Sequence, residues 1–356
     1  MLQDTLSVKV TRSENSRIGQ VDWENLQFGR VFSDHMLVMD YKDGVWQQPE
    51  ILPFANLSLH PATSAIHYGQ SIFEGLKAYR QDNGDVIIFR PDMNAKRFEE
   101  SCERMCMPVV PNDLFVELIR KAVEVDSNWI PDKEGYSLYI RPFLFATDGF
   151  VGIRPSETYK FIVFTCPVGQ YYNDPVKVKI EEYYTRAAVG GVGRAKTAGN
   201  YGASLFPARK GQLQGFDQLV WTDALEHKYI EESGTMNIVF VIDGVLVTPS
   251  EDSDTILRGI TKRSVLEIAR SWGVPIEERK VSVQEIVDAH KNGSLQDAFG
   301  AGTAATVAQI VKIGYRDEVL ELPAIETRHL SNKIKEHLNG IKSGTVKDDY
   351  GWCLKV

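Results

Sequence analysis

The stretch from Gly190 to Tyr201 constrains this chain most, because it places one lysine, Lys196, among several glycines. The glycines, at 190, 191, 193 and 199, can adopt positive φ and allow the main chain to come close to a ligand. Taken alone, a lysine in such a loop is most often solvated. If it binds a ligand, its amine can act in one of two ways. It can provide a point charge for a phosphate, or, once partly desolvated, it can form a Schiff base with a carbonyl group.

The same stretch is close to a nucleotide-binding loop of the form G-x-x-x-x-G-K-[ST], with Ala195 in place of the second glycine. That motif also needs an apolar strand before the loop and a helix after it. Residues 181–186 are polar, and Ala198 to Gly202 make a poor helix start. A nucleoside triphosphatase is therefore an alternative that the local sequence disfavours.

Length and composition indicate a globular protein of 356 residues with two domains. The net charge of −8 gives no basic surface for nucleic acid or for an anionic membrane, so we expect neither as a partner.

No apolar run approaches the roughly 20 residues of a membrane span. The N-terminal residues do not resemble a signal peptide, and four scattered cysteines do not form a disulfide framework or a metal site. We therefore expect a cytoplasmic protein.

Turn and periodicity signals predict most elements of the fold. Hairpin turns are predicted at Asp43-Gly44, Asn83-Gly84 and Asp243-Gly244. Helices are predicted from Asp92, over 113–127, from 258 to about 272, over 283–290 and over 326–341, and strands over 137–145, 160–165 and 218–222.

Tyr139 and Arg141 lie two residues apart on one predicted strand and so share one face of it. Together they could bind a carboxylate, or Arg141 could form an ion pair at a sheet edge. Arg97 lies off the apolar stripe of its helix, which taken alone indicates a solvated side chain.

A lysine that forms a Schiff base with pyridoxal phosphate needs three further groups. Gly259 to Thr261 at a helix start, joined by Thr303, can bind a phosphate. Glu232, beside a strand, can keep the pyridine nitrogen protonated, and Tyr201 can form a hydrogen bond with the phenolic oxygen. The sequence therefore offers all three groups.

The motifs Gly190-Gly191-Val192-Gly193, Lys196 and Gly199-Asn200-Tyr201-Gly202, with Glu232 to Asn237, resemble the branched-chain amino acid aminotransferases of fold type IV. The resemblance extends from His67-Tyr68-Gly69 and Phe73 to Ala78 as far as Gly300 to Ala304. It implies an α+β fold with a small N-terminal domain over 1–167, an interdomain loop over 168–180, and a larger cofactor domain with pseudo-barrel strands over 181–356.

The resemblance also implies a role for each candidate residue. Lys196 would form the internal aldimine with pyridoxal 5'-phosphate and then move a proton between the substrate Cα and the cofactor C4′. Glu232 would pair with the pyridine nitrogen and Tyr201 with the phenolic oxygen. The phosphate would be held by Arg97, Gly259, Ile260, Thr261 and Thr303. The substrate pocket would be lined by Tyr68, Phe73, Tyr139, Arg141, Val151, Ile153, Thr235 and Ala304, with Val151 and Ile153 reaching in from the other subunit of a homodimer.

The implied activity is reversible transfer of the amino group of L-leucine, L-isoleucine or L-valine to 2-oxoglutarate, giving branched-chain 2-oxo acids and L-glutamate by a ping-pong mechanism through pyridoxamine phosphate. Other fold type IV enzymes, a D-amino acid aminotransferase or an aminodeoxychorismate lyase, are alternatives, as is a non-catalytic binding protein. Mammalian members carry a redox-sensing Cys-x-x-Cys pair where this chain has Ala305 and Ala308, so we expect that switch to be absent.

Overall fold

The computed structural model describes residues 7–169 and 175–356. By their contacts, the residues form two units. The first comprises Met1–Tyr171, Ala195–Gly199 and Gly340–Val356, and the second comprises Tyr172–Arg194 and Asn200–Asn339. Two ten-stranded sheets are found within the described residues, one in each unit.

The elements are numbered in chain order. The strands are β1 (Lys9–Val10), β2 (His35–Lys42), β3 (Val45–Trp46), β4 (Glu50–Pro53), β5 (Ser71–Phe73), β6 (Leu76–Arg80), β7 (Val86–Phe89), β8 (Ser137–Ala146), β9 (Tyr159–Val168), β10 (Val176–Ile180), β11 (Gln218–Thr222), β12 (Tyr229–Ser233), β13 (Met236–Ile242), β14 (Val245–Pro249), β15 (Ile276–Arg279), β16 (Val281–Ser282), β17 (Leu295–Gly302), β18 (Thr306–Tyr315), β19 (Glu318–Glu321) and β20 (Cys353–Lys355). The α-helices are α1 (Ser64–Tyr68), α2 (Pro91–Arg104), α3 (Asn112–Val125), α4 (Ala198–Leu213), α5 (Ile260–Ser271), α6 (Val283–Lys291) and α7 (His329–Ser343).

The sheet of the first unit has the strand order β1-β4-β2-β9-β8-β6-β7-β20, with β3 paired to β2 and β5 paired to β8. Its centre is the antiparallel pair β8–β9, which is in register from Ser137 opposite Val168 to Ala146 opposite Tyr159. Both strands were predicted, over 137–145 and 160–165, and the structure confirms them.

Helices α2 and α3 supply the apolar residues that cover this sheet. Phe98 of α2 lies 5.0 Å from Phe115 of α3 between ring centroids, and 5.6 Å from Phe161 of β9. All three rings are buried in one core with Trp129. Burial of these large rings holds α2 against the sheet, and α2 carries Arg97.

The sheet of the second unit contains a closed ring of strands. Its path runs β15-β14-β13-β17-β18-β10-β11-β12-β16, and an additional pairing joins β12 to β13. The six strands β13, β17, β18, β10, β11 and β12 therefore form a barrel. Apolar side chains such as Val178, Ile238, Phe240 and Ile310 fill its core. The predicted pseudo-barrel is confirmed.

Local turn chemistry fixes the hairpins as predicted. Asp43 and Gly44 both have positive φ, 53° and 76°, in the turn between β2 and β3. Asp243 and Gly244 have φ of 49° and 78° between β13 and β14. Such two-residue turns match the twist of the strands that they join.

Helix α4 corrects one expectation, because Ala198 to Gly202 begin a helix that runs to Leu213. Local propensity disfavoured it, with several glycines and an internal Pro207. Packing overrides propensity here, since Pro207 is buried and a Cβ at Gly211 would lie 2.9 Å from Cδ2 of Leu219 in β11.

The division by contacts departs from the expected domain bounds in two segments. Residues 195–199 and residues 340–356 group with the first unit. For the C-terminal segment the reason is strand pairing, because β20 pairs with β7, with Cys353 opposite Phe89. Of the expected interdomain loop, residues 170–174 lie outside the described residues, and Val176–Ile180 is strand β10.

In the parts of the chain that the structure describes, no helix has both the length and the apolar character needed to cross a membrane.

Candidate active site

The predicted site residues fall into two groups, one in each unit. The group in the first unit contains Tyr68, Phe73, Arg97, Tyr139, Arg141, Val151, Ile153 and Lys196. The group in the second unit contains Tyr201, Glu232, Thr235, Gly259, Ile260, Thr261, Thr303 and Ala304.

Main-chain bonds on both sides fix the position of Lys196. Its N–H donates to Ser101 Oγ at 3.0 Å, and its carbonyl accepts from the N–H of Phe73 at 3.0 Å. The next residue, Thr197, forms a β-bridge with Ile72. The side chain is half-buried, and its Nζ lies 4.8 Å from the centroid of the Phe73 ring. The lysine therefore extends from an immobilised main chain over an aromatic ring.

The four glycines around Lys196 differ in backbone conformation and in the space near them. Of the residues 190, 191, 193 and 199, only Gly190 has a positive φ, at 76°. Gly193 is required for a close approach, because a Cβ there would lie 2.5 Å from Cβ of Ala187 and 2.7 Å from the carbonyl oxygen of Thr255. The expectation of positive φ thus holds for one of the four residues.

Phe73, Tyr139 and Arg141 form one cluster in the first unit. The Arg141 guanidinium donates from Nη2 to the Tyr139 phenolic oxygen at 2.9 Å, and it lies 4.7 Å from the Phe73 ring centroid. Tyr139 is buried, and a Cβ at Gly75 would lie 2.1 Å from its Oη. The prediction that Tyr139 and Arg141 share one strand face is confirmed. The cluster combines an apolar ring with a phenol and a guanidinium, which suits a carboxylate beside an aliphatic chain.

Arg97 is buried rather than solvated, and its guanidinium binds a carboxylate of its own unit. Nε donates to Oε1 of Glu74 at 2.7 Å, and Nη2 donates to Oε2 at 2.8 Å. Burial alone would raise the pKa of Glu74, but the charges of Arg97 and Lys196 hold it below its ordinary value. The pair is therefore ionic. The phosphate role of Arg97 stays a prediction.

Tyr68 and the loop of Val151 and Ile153 lie together in the first unit. The N–H of Gly152 donates to the Tyr68 hydroxyl at 3.1 Å. The loop exposes two large apolar side chains, Val151 at 83% and Ile153 at 96%. Within one chain, the two side chains are available to a partner molecule.

Glu232 in the second unit is held by a buried cation and a main-chain amide. The Arg186 guanidinium lies at 3.2 Å from its Oε2, with Nε as the nearest atom, and the N–H of Leu257 donates to Oε1 at 2.7 Å. Only 4% of Glu232 is exposed. A cation and an N–H donor both favour a carboxylate over a carboxylic acid. The arrangement presents a negative charge that can pair with a protonated nitrogen.

Two turns of the barrel bring three predicted residues together. β12 and β13 meet at the turn that contains Thr235, and β17 and β18 meet at the turn that contains Thr303 and Ala304. β13 pairs antiparallel with β17, with Asn237 opposite Ala301, so the start of β13 lies beside the end of β17. The two turns are therefore neighbours at one end of the barrel.

The N-terminus of α5 lies beside the same end. Gly259 is its N-cap, without a side-chain hydrogen bond, and no acidic residue lies in the first turn. A Cβ at Gly259 would lie 1.7 Å from Oδ1 of Asn237, so only glycine fits. The first N–H groups of a helix, here those of Ile260 and Thr261, have no partner within it, and the helix dipole favours an anion there. This end suits a phosphate.

Tyr201 lies in the first turn of α4 and is half-buried. The side chain of the preceding residue, Asn200, donates to the carbonyl of Val192 at 2.8 Å. This bond joins the start of the helix to the glycine-rich loop.

The residues present fit the cofactor that the sequence implies. The N-terminus of α5 after Gly259 provides an anion site, because its first turn carries no acidic residue. Glu232 provides a buried carboxylate with a cation beside it, and Lys196 provides a primary amine on a fixed main chain. Phosphate, pyridine nitrogen and aldehyde each have a matching group in the chain.

Four residues that the sequence analysis did not select support these groups. Glu74 pairs with Arg97, Ser101 holds Lys196, Arg186 pairs with Glu232, and Asn237 contacts Gly259. For Glu74 a signal existed, because a lone acidic residue among apolar ones indicates a buried, paired carboxylate. Arg186 gave none, since it ends a polar segment.

The chain is similar to one protein family over most of its length. Residues 71–313 match the family model described as amino-transferase class IV. This span is more than half of the chain, which therefore belongs to the class IV aminotransferases, enzymes that use pyridoxal 5'-phosphate.

Two relatives show to which group within this family the chain belongs, and one solved structure has the same fold. Branched-chain-amino-acid aminotransferase 2 of Bacillus subtilis (strain 168) is 43% identical, over 100% of this chain and 98% of the relative. Branched-chain-amino-acid transaminase 1 of the same organism is 46% identical, over 94% of this chain and 95% of the relative. The branched-chain amino acid aminotransferase from Escherichia coli has the same fold, with a TM-score of 0.73 and 24% identity over 90% of this chain and 98% of that chain. Within its class, the chain belongs to the branched-chain-amino-acid aminotransferases.

Proposed function

We propose that the chain transfers the amino group of L-leucine, L-isoleucine or L-valine reversibly to 2-oxoglutarate. Similarity to two branched-chain enzymes over nearly the whole chain supports this assignment. The observation that carries it is the cluster of Phe73, Tyr139 and Arg141 next to Lys196. An apolar ring with one guanidinium at its edge can accept an aliphatic side chain and the γ-carboxylate of glutamate in turn.

Lys196 is proposed to move the proton between the substrate Cα and C4′ of the cofactor. Bound pyridoxal phosphate supplies an electron sink that stabilises negative charge at the substrate Cα. The lysine reaches this task from a main chain that Ser101 and Phe73 fix. A fixed main chain leaves only the side-chain torsions to be ordered when the substrate binds.

Glu232 and Tyr201 are proposed to orient and polarise the cofactor ring. Glu232 would accept a hydrogen bond from the protonated pyridine nitrogen, and Arg186 beside it supports the ionised carboxylate. Tyr201 would donate to the phenolic oxygen. Both assignments follow the family resemblance.

The phosphate is proposed to bind the amides of Ile260 and Thr261 at the start of α5, with Gly259 as the N-cap. In the same unit, Thr303 lies on the turn next to the start of β13. Arg97, in the first unit, is proposed to donate to the phosphate while Glu74 holds the Arg97 guanidinium. The amide of Ala304 and the hydroxyl of Thr235, on adjacent turns, are proposed to bind the substrate carboxylate.

We propose further that the enzyme is a homodimer in which Val151 and Ile153 enter the partner's substrate pocket. Their exposure in the single chain, 83% and 96%, supports this, since large exposed apolar side chains mark interaction sites. Mixing Lys196→Ala chains with Val151→Asp/Ile153→Asp chains, each inactive alone, should restore about a quarter of the wild-type activity in a symmetric dimer. A mixture that stays inactive, although heterodimers form, would refute the shared pocket.

A cytoplasmic location is proposed on the cysteines, because Cys102, Cys106, Cys166 and Cys353 are all free thiols. Free thiols persist in a reducing compartment. Cell fractionation tests this directly, and recovery of the protein outside the cytoplasmic fraction would contradict it.

The visible spectrum of the purified protein tests the proposed function. With no 2-oxo acid present, L-leucine should convert the band of bound pyridoxal phosphate into that of pyridoxamine phosphate, and D-alanine should not. Conversion by D-alanine alone would indicate a D-amino acid aminotransferase. A protein that stays colourless after incubation with pyridoxal phosphate would refute the role of Lys196.

A further inference from the structure

Glu74 is the most deeply buried carboxylate among the described residues of the first unit, with 0% of its surface exposed. Besides the two bonds from Arg97, its Oε2 accepts from Nδ2 of Asn94 at 2.7 Å and from the N–H of Gly75 at 3.1 Å. Four donors therefore surround one carboxylate. Such a carboxylate cannot change position without leaving buried donors unpaired.

The two bonds from Arg97 define how its guanidinium is oriented. Nε and Nη2 bind the two oxygens of Glu74 in a fork, and this geometry fixes the guanidinium plane as well as its distance. Asn94 lies three residues before Arg97 on α2, so both donors approach Glu74 from one face of the helix. Glu74 thus also sets the direction in which the third nitrogen of the guanidinium, Nη1, points.

The same network reaches the catalytic lysine. Ser101 donates from Oγ to the carbonyl of Arg97 at 2.9 Å, and its Oγ accepts from the N–H of Lys196. On the other side, the N–H of Glu74 donates to the carbonyl of Pro142 at 2.7 Å, next to Arg141. Glu74 lies between the cation proposed to bind phosphate and the strands that carry the substrate cluster.

We propose that Glu74 is a positioning residue, which aims the Arg97 guanidinium at the cofactor phosphate. The inference rests on the proposed function only for the presence of pyridoxal phosphate and for the phosphate role of Arg97. A role in stability alone would not explain a buried ion pair, because replacing such a pair with apolar residues is often neutral or stabilising. Retention of the pair is explained if Arg97 must keep its charge and its direction.

The test compares the affinities of the full-length apoenzyme for pyridoxal 5'-phosphate and for pyridoxal, which lacks the phosphate. Glu74→Gln keeps the shape of the side chain but loses its charge. It should lower the preference for the phosphorylated form about tenfold, as expected for loss of a charge-assisted fork. Glu74→Asp, which keeps the charge, should retain most of the preference.

Two further variants separate positioning from stability. In an Arg97→Met background, Glu74→Gln should change the phosphate preference no further, because both act through one guanidinium. Asp297→Asn removes the acid of another buried pair, with Arg328 at 3.2 Å in the second unit. It should lower the melting temperature and leave the phosphate preference unchanged.

The outcomes distinguish this inference from the proposed function. Equal losses of affinity for both compounds in Glu74→Gln, or equal behaviour of the Gln and Asp variants, would overturn the positioning role. An unchanged preference in Arg97→Met would overturn it as well. None of these results depends on transamination of leucine, and a wild-type enzyme that failed to act on leucine would leave the binding comparison intact.

Discussion

The Arg141 guanidinium donates a hydrogen bond from Nη2 to the phenolic oxygen of Tyr139 at 2.9 Å, while its face lies 4.7 Å from the centroid of the Phe73 ring. The phenol and the ring together fix the orientation of the guanidinium. Arg141 is therefore placed to meet a carboxylate that arrives beside an apolar wall.

Substitution of Arg141 by methionine is expected to impair the reaction of glutamate and 2-oxoglutarate more than the reaction of leucine. Loss of a charge-assisted contact should lower kcat/KM for glutamate and 2-oxoglutarate about 10- to 100-fold, and for leucine much less. Steady-state kinetics of both half-reactions measure this. Arg120→Met, which removes an exposed ion pair on α3 with Glu117, is the control and should leave both unchanged. Equal losses for leucine and glutamate would contradict the assignment.

Replacement of Lys196 by alanine should abolish turnover and preserve the fold. The change removes the amine that we propose as both nucleophile and proton carrier, so kcat should fall by about 10⁴-fold or more. The side chain is only half-buried, and its main-chain bonds to Ser101 and Phe73 remain. Single-turnover kinetics and circular dichroism test the two parts. Lys210→Ala, at an exposed position of α4, is the matched control and should keep wild-type activity. Substantial residual activity in Lys196→Ala would show that another group carries out the reaction.

Glu232→Gln should lower kcat about 100-fold or more and leave the cofactor bound. A neutral amide supports a protonated pyridine nitrogen poorly, and the electrostatic stabilisation of charge in the transition state is lost. The neighbouring Glu231 provides the control, because it is also buried and accepts a hydrogen bond from Thr255. Burial raises the pKa of Glu231, and Glu231→Gln should leave kcat near the wild-type value. A similar loss of kcat in both variants would argue against a specific role for Glu232.

Gly259→Ala should weaken cofactor binding and destabilise the second unit. The added Cβ would lie 1.7 Å from Oδ1 of Asn237, so the start of α5 or the side chain of Asn237 must move. Overpacking of this kind costs about 1–3 kcal/mol. Thermal unfolding and titration with pyridoxal phosphate measure the two effects. Gly19→Ala, where nothing lies within 4 Å of the new Cβ, should behave like the wild type, and wild-type binding by Gly259→Ala would contradict the steric argument.

Local chemistry made much of the fold predictable. The Asp-Gly turns at 43–44 and 243–244 adopt positive φ because of what those two residues are. Helix α2 follows from apolar residues at helical spacing after Pro91, and the face shared by Tyr139 and Arg141 follows from the alternation of a strand.

The candidate site was predictable to the extent that its groups carry their own chemistry. Lys196 stood out as an amine among glycines, and Gly259 stood out as the start of a helix. Which residues pair with each other was not predictable, because the two members of each supporting pair are distant in sequence. Arg186 and Glu232 are 46 positions apart in the sequence, and Glu74 and Arg97 are 23 positions apart. Only packing decides which of many charged residues are brought together.

The sequence by itself determined the turns and most of the helices and strands, and it supplied the candidate reactive groups, because each depends on neighbouring residues. The tertiary structure decided the rest. It closed the barrel through the pairing of β12 with β13, and it made a helix of the glycine-containing segment after Lys196 by burying Pro207 and packing Gly211 against Leu219. It also turned Arg97 inward to Glu74. These outcomes depend on burial and on contacts between distant residues, whose free energy exceeds the small local preferences that oppose them.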